Sequence, residues 1–313
     1  MSMPRPPPRA LRLLHSSPSR AAARRAPDPR VRDLATPQQD EYAVLRDHYA
    51  TPKHPIVLAH GLLGFAQLRL TPGLSIPYWR GIREALAAQG AHVIAATVPP
   101  TGTIADRAAQ LARAIAAGAP GVPVNIVAHS MGGLDARHMI ALPPAAEGGV
   151  GVGVGVRVAS LTTVSSPHRG SALADWALRP AWRRRLLRGA APAVAQLTPR
   201  RMEAFNARVR DDPRVRYFSY GADAGAPPLL SPFRLAAGVL ARAEGPNDGL
   251  VSVASSRWGE YRGTLEGVNH LDLINWPNRV RWAVGRWTGA GGTGFNAVAF
   301  YLAVADMLAR EGL

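Results

Sequence analysis

Ser130 lies in Val124-Asn-Ile-Val-Ala-His-Ser-Met-Gly-Gly133, where an apolar run leads into a serine and a helical pattern follows it. Small residues stand two before and two after it, Ala128 and Gly132, which lets the chain close a sharp strand-to-helix turn and lift the hydroxyl clear. The usual first small residue is glycine, and Ala128 departs from it by one methyl group. A helix starting just after Ser130 also points its positive end at charge developing on the hydroxyl oxygen. The chemistry open to such a serine is nucleophilic attack on a carbonyl, provided that a base and an oxyanion site are supplied elsewhere.

The other parts follow in order along the chain. His60-Gly-Leu-Leu-Gly64 directly follows an apolar run at 56–59. A glycine-flanked loop there brings backbone N–H groups close to a reacting carbonyl, so Leu62 and Met131, the residue after the serine, are the expected oxyanion donors. Glu244-Gly-Pro-Asn-Asp-Gly-Leu-Val251 holds Asp248 in a turn, and Gly267-Val-Asn-His-Leu-Asp272 places His270 after the last candidate strand. Alone, an Asp in an Asn-Asp-Gly turn reads as a turn former. A histidine downstream of it, able to take a proton near neutrality, makes Asp248 the candidate orienting acid and His270 the candidate general base. The order Ser130, Asp248, His270 is that of the α/β-hydrolase triad. His60 and His129 flank the oxyanion loop and the elbow and read as scaffold, and His168 reads as shaping the loop beneath them.

These residues need a frame to hold them. From residue 55 on, short runs rich in β-branched residues alternate with helical patterns, the signature of a mostly parallel sheet with helices on both faces. Strands are predicted at Ile56 to Ala59, His92 to Val98, Val124 to Ala128, Val158 to Val164, Val215 to Tyr220 and Tyr261 to Val268. Helices are predicted at Tyr78 to Ala88, Ile104 to Ala117, Gly132 to Leu142, Ala236 to Ala243, Leu271 to Trp287 and Ala297 to Arg310, the last amphipathic and packed on the sheet. Gly148 to Val156, with glycine at every second position, reads as an expanded surface loop. The stretch from about 170 to 213 has no strand pattern and is rich in Ala, Leu, Arg and Trp, which points to a helical lid over the site.

Composition narrows the field further. With 313 residues, 47% of them hydrophobic, the chain can bury one large core. We divide it into a basic tail at 1–50 and a catalytic domain at 51–313. Cysteine is absent, which excludes disulfides, thiolate metal sites and a cysteine nucleophile. The net charge of +16 invites an anionic partner, but Lys53 is the only lysine among 37 basic residues and Ala, Gly and Pro abound. That bias fits a GC-rich coding sequence, and no basic run carries the interleaved aromatics on which single strands stack, so no nucleic-acid partner is expected. The cluster Arg183, Arg184, Arg185 and Arg188 reads as a solvated helix face. No window reaches the ~20 apolar residues of a membrane span. The first 27 residues hold six arginines and no acid. They fit a mitochondrial transit peptide or a disordered tail, the remaining compartment being the cytoplasm, and they lack the apolar core of a secretory signal.

Taken together, His60-Gly-Leu-Leu-Gly-Phe65, Ala128-His-Ser-Met-Gly-Gly133, Ser166-Pro-His-Arg-Gly-Ser171, Gly245-Pro-Asn-Asp-Gly-Leu250 and Val268-Asn-His-Leu-Asp-Leu273 resemble fungal triacylglycerol lipases related to the bacterial true lipases of Pseudomonas and Burkholderia. The resemblance runs from residue 55 to about 310. It implies an α/β-hydrolase fold, hydrolysis of a lipid ester without an organic cofactor, a mobile lid and transient contact with a membrane or lipid-droplet surface. The same scaffold also serves lipid acyltransferases and phospholipases, and a membrane-associated binding protein is the non-enzyme alternative. The bacterial relatives hold a structural calcium next to the catalytic histidine, a place matched here by Asp272. The second aspartate is missing from Pro227 to Phe233, so Asp272 is expected to fix the His270 loop rather than to bind calcium.

Overall fold

A computed structural model describes residues 45–46, 48–62, 67–71, 74–141, 156–227, 233–276 and 295–313. Six strands form one sheet: β1 (Ile56–Ala59), β4 (Val93–Ala96), β5 (Pro123–His129), β6 (Arg157–Val164), β7 (Arg216–Asp223) and β8 (Glu260–Glu266). Their order is β4-β1-β5-β6-β7-β8, and every pair is parallel. All six predicted strands are present. β2 (Gln67–Thr71) and β3 (Leu74–Pro77) add a separate antiparallel hairpin that carried no clear strand pattern.

Side chains of successive strand residues point to opposite faces, and both faces of this sheet are dry. Ile56, Leu58, Val127, Val164, Phe218, Tyr220 and Leu265 face one core, closed by helices α1 (Ile82–Ala88) and α10 (Ala297–Arg310). Val57, Ala59, Val124, Ile126, Ala128 and Leu161 face the other, closed by α2 (Ile104–Gly118) and α3 (Gly132–Ala141). α2 begins with a capping box, in which the Thr103 side chain and Asp106 satisfy each other's backbone amides. It also runs through Gly118 to an Ala119 cap, one residue beyond the predicted stop.

The C-terminal helix α10 packs on the sheet as expected, with eleven of its fourteen residues buried. Its outer side is covered by the segment before residue 51, where Tyr49 is buried, the Ala50 amide donates to Asp306 Oδ1 at 2.8 Å and Arg46 pairs with Asp306 Oδ2. Arg46, Tyr49 and Ala50 therefore contact the body, although they fall on the tail side of the boundary drawn at 50. Of the helix predicted at Leu271 to Trp287, the described start is a 3-10 turn, Asp272–Ile274, ended by Asn275 at φ +60°. Residues 277–294 lie outside the described residues, as do the glycine-rich loop at 148–155 and the tail at 1–44.

Between β6 and β7 stand α4 (Ala172–Leu178), α5 (Ala181–Leu186), α6 (Ala191–Gln196) and α7 (Pro199–Arg208). After β7 come α8 (Arg234–Ala243) and α9 (Val253–Ser256).

Candidate active site

β5 ends at His129, and the chain passes through Ser130 at φ +57° before α3 starts at Gly132. A left-handed φ costs a non-glycine residue of order 1 kcal/mol, so the turn must be held by its surroundings. The Ser130 amide donates to Val164 O on the next strand at 3.0 Å. Behind it, a Cβ on Gly132 would stand 2.5 Å from Ala59 O, so only glycine lets α3 start this close to β1. In front, a Cβ on Gly61 would stand 2.8 Å from Ser130 Cβ and 3.2 Å from its Oγ. The loop after β1 thus lies directly against the serine. Leu62 and Met131, the expected oxyanion donors, pack their side chains into one apolar cluster with Leu134, Met202 and Phe205.

The turn before α9 holds the acid. Asn247 Oδ1 accepts the Gly249 amide, and Asp248 Oδ1 accepts the amides of Leu250 and Val251 at 2.9 and 2.8 Å. The second oxygen, Oδ2, accepts from His270 Nδ1 at 2.6 Å, while the His270 amide donates to Asp248 O at 3.0 Å. Asp248 is fully buried, so this charge-assisted pair sits in a low-dielectric setting where it is strong and direction-setting. With Nδ1 committed to Asp248, His270 keeps Nε2 as its proton-accepting atom. The ring lies with its centroid 4.4 Å from that of His129, the residue next to Ser130. At the C-terminal edge of the sheet the acid and the histidine are therefore joined directly, and the histidine ring lies against the residue next to the serine.

The three scaffold histidines are buried and neutral. Val98 N–H can only donate, so His60 Nε2 accepts it at 3.2 Å and Nδ1 carries the proton that reaches Gly61 O at 3.0 Å. Burial lowers the His60 pKa to about 4, with Arg107 nearby adding to the effect. Burial also holds His129 and His168 well below the ordinary histidine value. His168 binds Thr163 through Nε2, stacks on Trp258 and ties its backbone to Ser255 and Asn206, which knits the β6 loop to α9 and α7.

Spacing did not single out two further residues around the oxyanion loop. Arg107, with no exposed surface, donates to His60 O at 2.6 Å, to Pro99 O at 2.8 Å and to Asp135 Oδ2 on α3 at 2.8 Å. It couples the oxyanion loop to the helix that begins at the nucleophile. Burial pushes the Asp135 carboxyl up to about 7, against the pull of Arg107. A signal for Arg107 was present: it falls on the apolar stripe of α2 with Ile104, Ala108, Leu111 and Ile115, where a charge has to find a buried partner. Tyr78, buried before α1, donates to or accepts from His129 Nδ1 at 2.7 Å and accepts the Gly61 amide at 3.1 Å. No periodicity marks it.

Asp272 Oδ2 accepts the Asn269 amide at 3.1 Å, bridging the loop that carries His270. Asp223 Oδ1 accepts the amides of Gly225 and Asn247. Among the described residues, no three His, Asp or Glu side chains gather as a cation site would require. The donors present do not fit the implied calcium, and residues 228–232 lie outside the description.

A parallel sheet with an acid, a base and a serine on three loops at its C-terminal edge defines the class of α/β-hydrolases, and the comparisons agree. A family model described as a serine esterase (DUF676) matches residues 103–184, the segment containing the elbow. Triacylglycerol lipase 2 of Saccharomyces cerevisiae is 35% identical, covering 85% of this chain and 94% of its own length. A triacylglycerol lipase of Vibrio cholerae is 27% identical over 75% of this chain and 83% of its own. Among solved structures, Staphylococcus hyicus lipase superposes with a TM-score of 0.62 at 19% identity, covering 85% of this chain and 98% of that one. The chain belongs to the triacylglycerol lipase family of α/β-hydrolases, and it is a carboxylic ester hydrolase.

Proposed function

We propose that the protein hydrolyses triacylglycerol by two-step acyl transfer through Ser130, His270 and Asp248. The observation that carries this reading is the buried Asp248–His270 pair held beside the Ser130 elbow and the Gly61–Leu62 loop. His270 Nε2 takes the Ser130 proton as Oγ bonds to the ester carbonyl carbon. The carbonyl oxygen becomes an oxyanion in front of the Leu62 and Met131 amides. The tetrahedral adduct collapses, the carbon–oxygen bond to the alcohol breaks, and that alcohol leaves with the proton from His270. Water then enters by the same base, attacks the acyl-serine and releases the fatty acid and free Ser130. Asp248 stays ionised throughout and stabilises the imidazolium.

A lipid surface is supported by α5, which buries none of its six residues. Trp182 and Leu186 are 60% and 72% exposed and one helical turn apart, with Arg184 and Arg185 exposed beside them. Exposed tryptophan flanked by arginine suits the boundary between acyl chains and anionic headgroups. Among the described residues, no helix is long and apolar enough to cross a membrane.

The test pairs labelling with product analysis. A fluorophosphonate should label the wild type and not Ser130→Ala, and emulsified triolein should yield oleate at a rate that falls at least about 10⁴-fold in the variant. Oleate released from phosphatidylcholine but not from triolein would instead assign a phospholipase.

A further inference from the structure

We infer that Tyr78 is a positioning residue whose single hydroxyl sets both the oxyanion loop and the ring behind the general base. The inference rests on the triad reading above and adds a residue that the acyl-transfer steps do not use.

The hydroxyl stands between two groups of different bonding capacity. Gly61 N–H can only donate, and it points at Tyr78 Oη over 3.1 Å. The phenol's own proton is then left for the other neighbour, His129 Nδ1, at 2.7 Å. Tyr78 is buried, and burial raises its pKa above the ordinary tyrosine value, so the proton stays on the ring oxygen across the working range.

On the loop side, each polar group of the turn is gripped. His60 O receives Arg107, Gly61 N–H gives to Tyr78, and Gly61 O receives His60 Nδ1–H. Gly61 C=O and Leu62 N–H belong to one peptide plane. Fixing the Gly61 amide and carbonyl therefore fixes the direction of the Leu62 N–H, which has to be aimed before charge develops on the substrate oxygen. Gly61 has no side chain to resist rotation, so without the phenol the loop keeps only two of its three grips.

On the base side, Tyr78 commits His129 Nδ1 as an acceptor and so places the ring proton on Nε2. That nitrogen is buried and has no hydrogen-bond partner among the described residues. The His129 ring, held in this tautomer and orientation, is the surface against which the His270 ring rests, 4.4 Å between centroids. A rotated or charged His129 would disturb the imidazolium that His270 becomes during attack. One hydroxyl thus links the oxyanion donor to the proton acceptor through contacts that never touch the substrate.

Tyr78→Phe removes one oxygen and leaves the ring in place. The assay uses the soluble ester p-nitrophenyl butyrate, with rates taken per fluorophosphonate-titratable site so that an unfolded fraction does not count. The expected result is a kcat about 10–100-fold lower with KM within about twofold, and a parallel loss of affinity for an alkylboronic acid, whose serine adduct places an oxygen in the oxyanion site. Tyr301→Phe is the control, since that hydroxyl is also buried but has no hydrogen-bond partner among the described residues. It should keep wild-type kcat. A Tyr78→Phe enzyme with kcat and boronate affinity within about twofold of wild type overturns the inference, as does equal loss in Tyr301→Phe. Full activity in Ser130→Ala would instead overturn the triad reading, which separates the two failures.

Discussion

The helix that begins at the nucleophile and the four helices that follow β6 are built to different standards. In α3 the side chains of Leu134, Asp135, Ala136, Arg137 and Met139 are all buried, and both its glycines press against neighbouring strands or loops. In the cap, α4 buries Ala174, α6 buries Ala193, α7 buries Met202 and Phe205, and α5 buries nothing. Packing density of this kind sets how much free energy resists local opening. The loops around Ser130, Asp248 and His270 are thus held by buried hydrogen bonds, whereas the cap is held at separate points: Ala193, Met202 and Phe205 pack beside Met131 and Leu134, Gln196 accepts the Ile104 amide, Arg137 anchors α7 through Asn206 and Val209 O, and Glu244 accepts the Ala172 amide at the start of α4. The difference teaches that the helix after the elbow and the helices after β6 are packed to different degrees, which is what the proposed split between chemistry and surface contact requires.

The sharpest way to break the rigid half is Asp248→Asn. The amide keeps the turn's shape but cannot hold the protonated imidazole, so kcat should fall about 10³–10⁴-fold with soluble and emulsified esters alike. Loss on the emulsion alone would move Asp248 out of the site and into the cap's half of the comparison.

The second effect is on stability and reads the scaffold histidines. His60, His129 and His168 are neutral in the folded protein, their pKa values lying below the ordinary 6.5, at about 4 for His60. Between pH 6.5 and 4 the unfolded chain binds protons there that the native state refuses, so stability falls as pH falls, by up to about 1.4 kcal/mol per pH unit for each histidine. Urea unfolding midpoints at pH 7.5, 6 and 5 should drop in that order. A flat profile would mean that these rings are protonated in the fold.

The smallest effect belongs to the cap. Trp182→Ala/Leu186→Ala should leave the urea midpoint nearly unchanged, because α5 has no buried side chain to lose. Hydrolysis of emulsified triolein should fall about 3–10-fold while p-nitrophenyl butyrate turnover holds. Equal losses on both substrates would show that the cap and the catalytic loops are not separable.

Much of this was legible before any coordinates. The six sheet strands stand out because residues buried on both faces form nearly unbroken apolar runs, and the elbow stands out because its turn tolerates only small residues at two places. The hairpin β2–β3 was not legible, since its strands are only five and four residues long. The extent of burial of α10 was also hidden, because the segment that covers its outer side lies some 250 positions away in the chain, at Arg46 and Ala50. The 3-10 turn at Asp272–Ile274 was not legible as such, because Asn275 adopts a left-handed conformation that the apolar pattern does not register.

The sequence by itself determined the fold class and singled out Ser130, Asp248, His270, Leu62 and Met131 as the candidate site, because each choice depends on local turn chemistry and on order along the chain. Only the tertiary structure decided which buried groups hold them. Arg107 reaches His60 O from another helix, Tyr78 meets His129 across 51 positions and Asp248 meets His270 across 22. Such partners are chosen by which elements the sheet brings side by side, and a buried donor or acceptor left without one costs free energy.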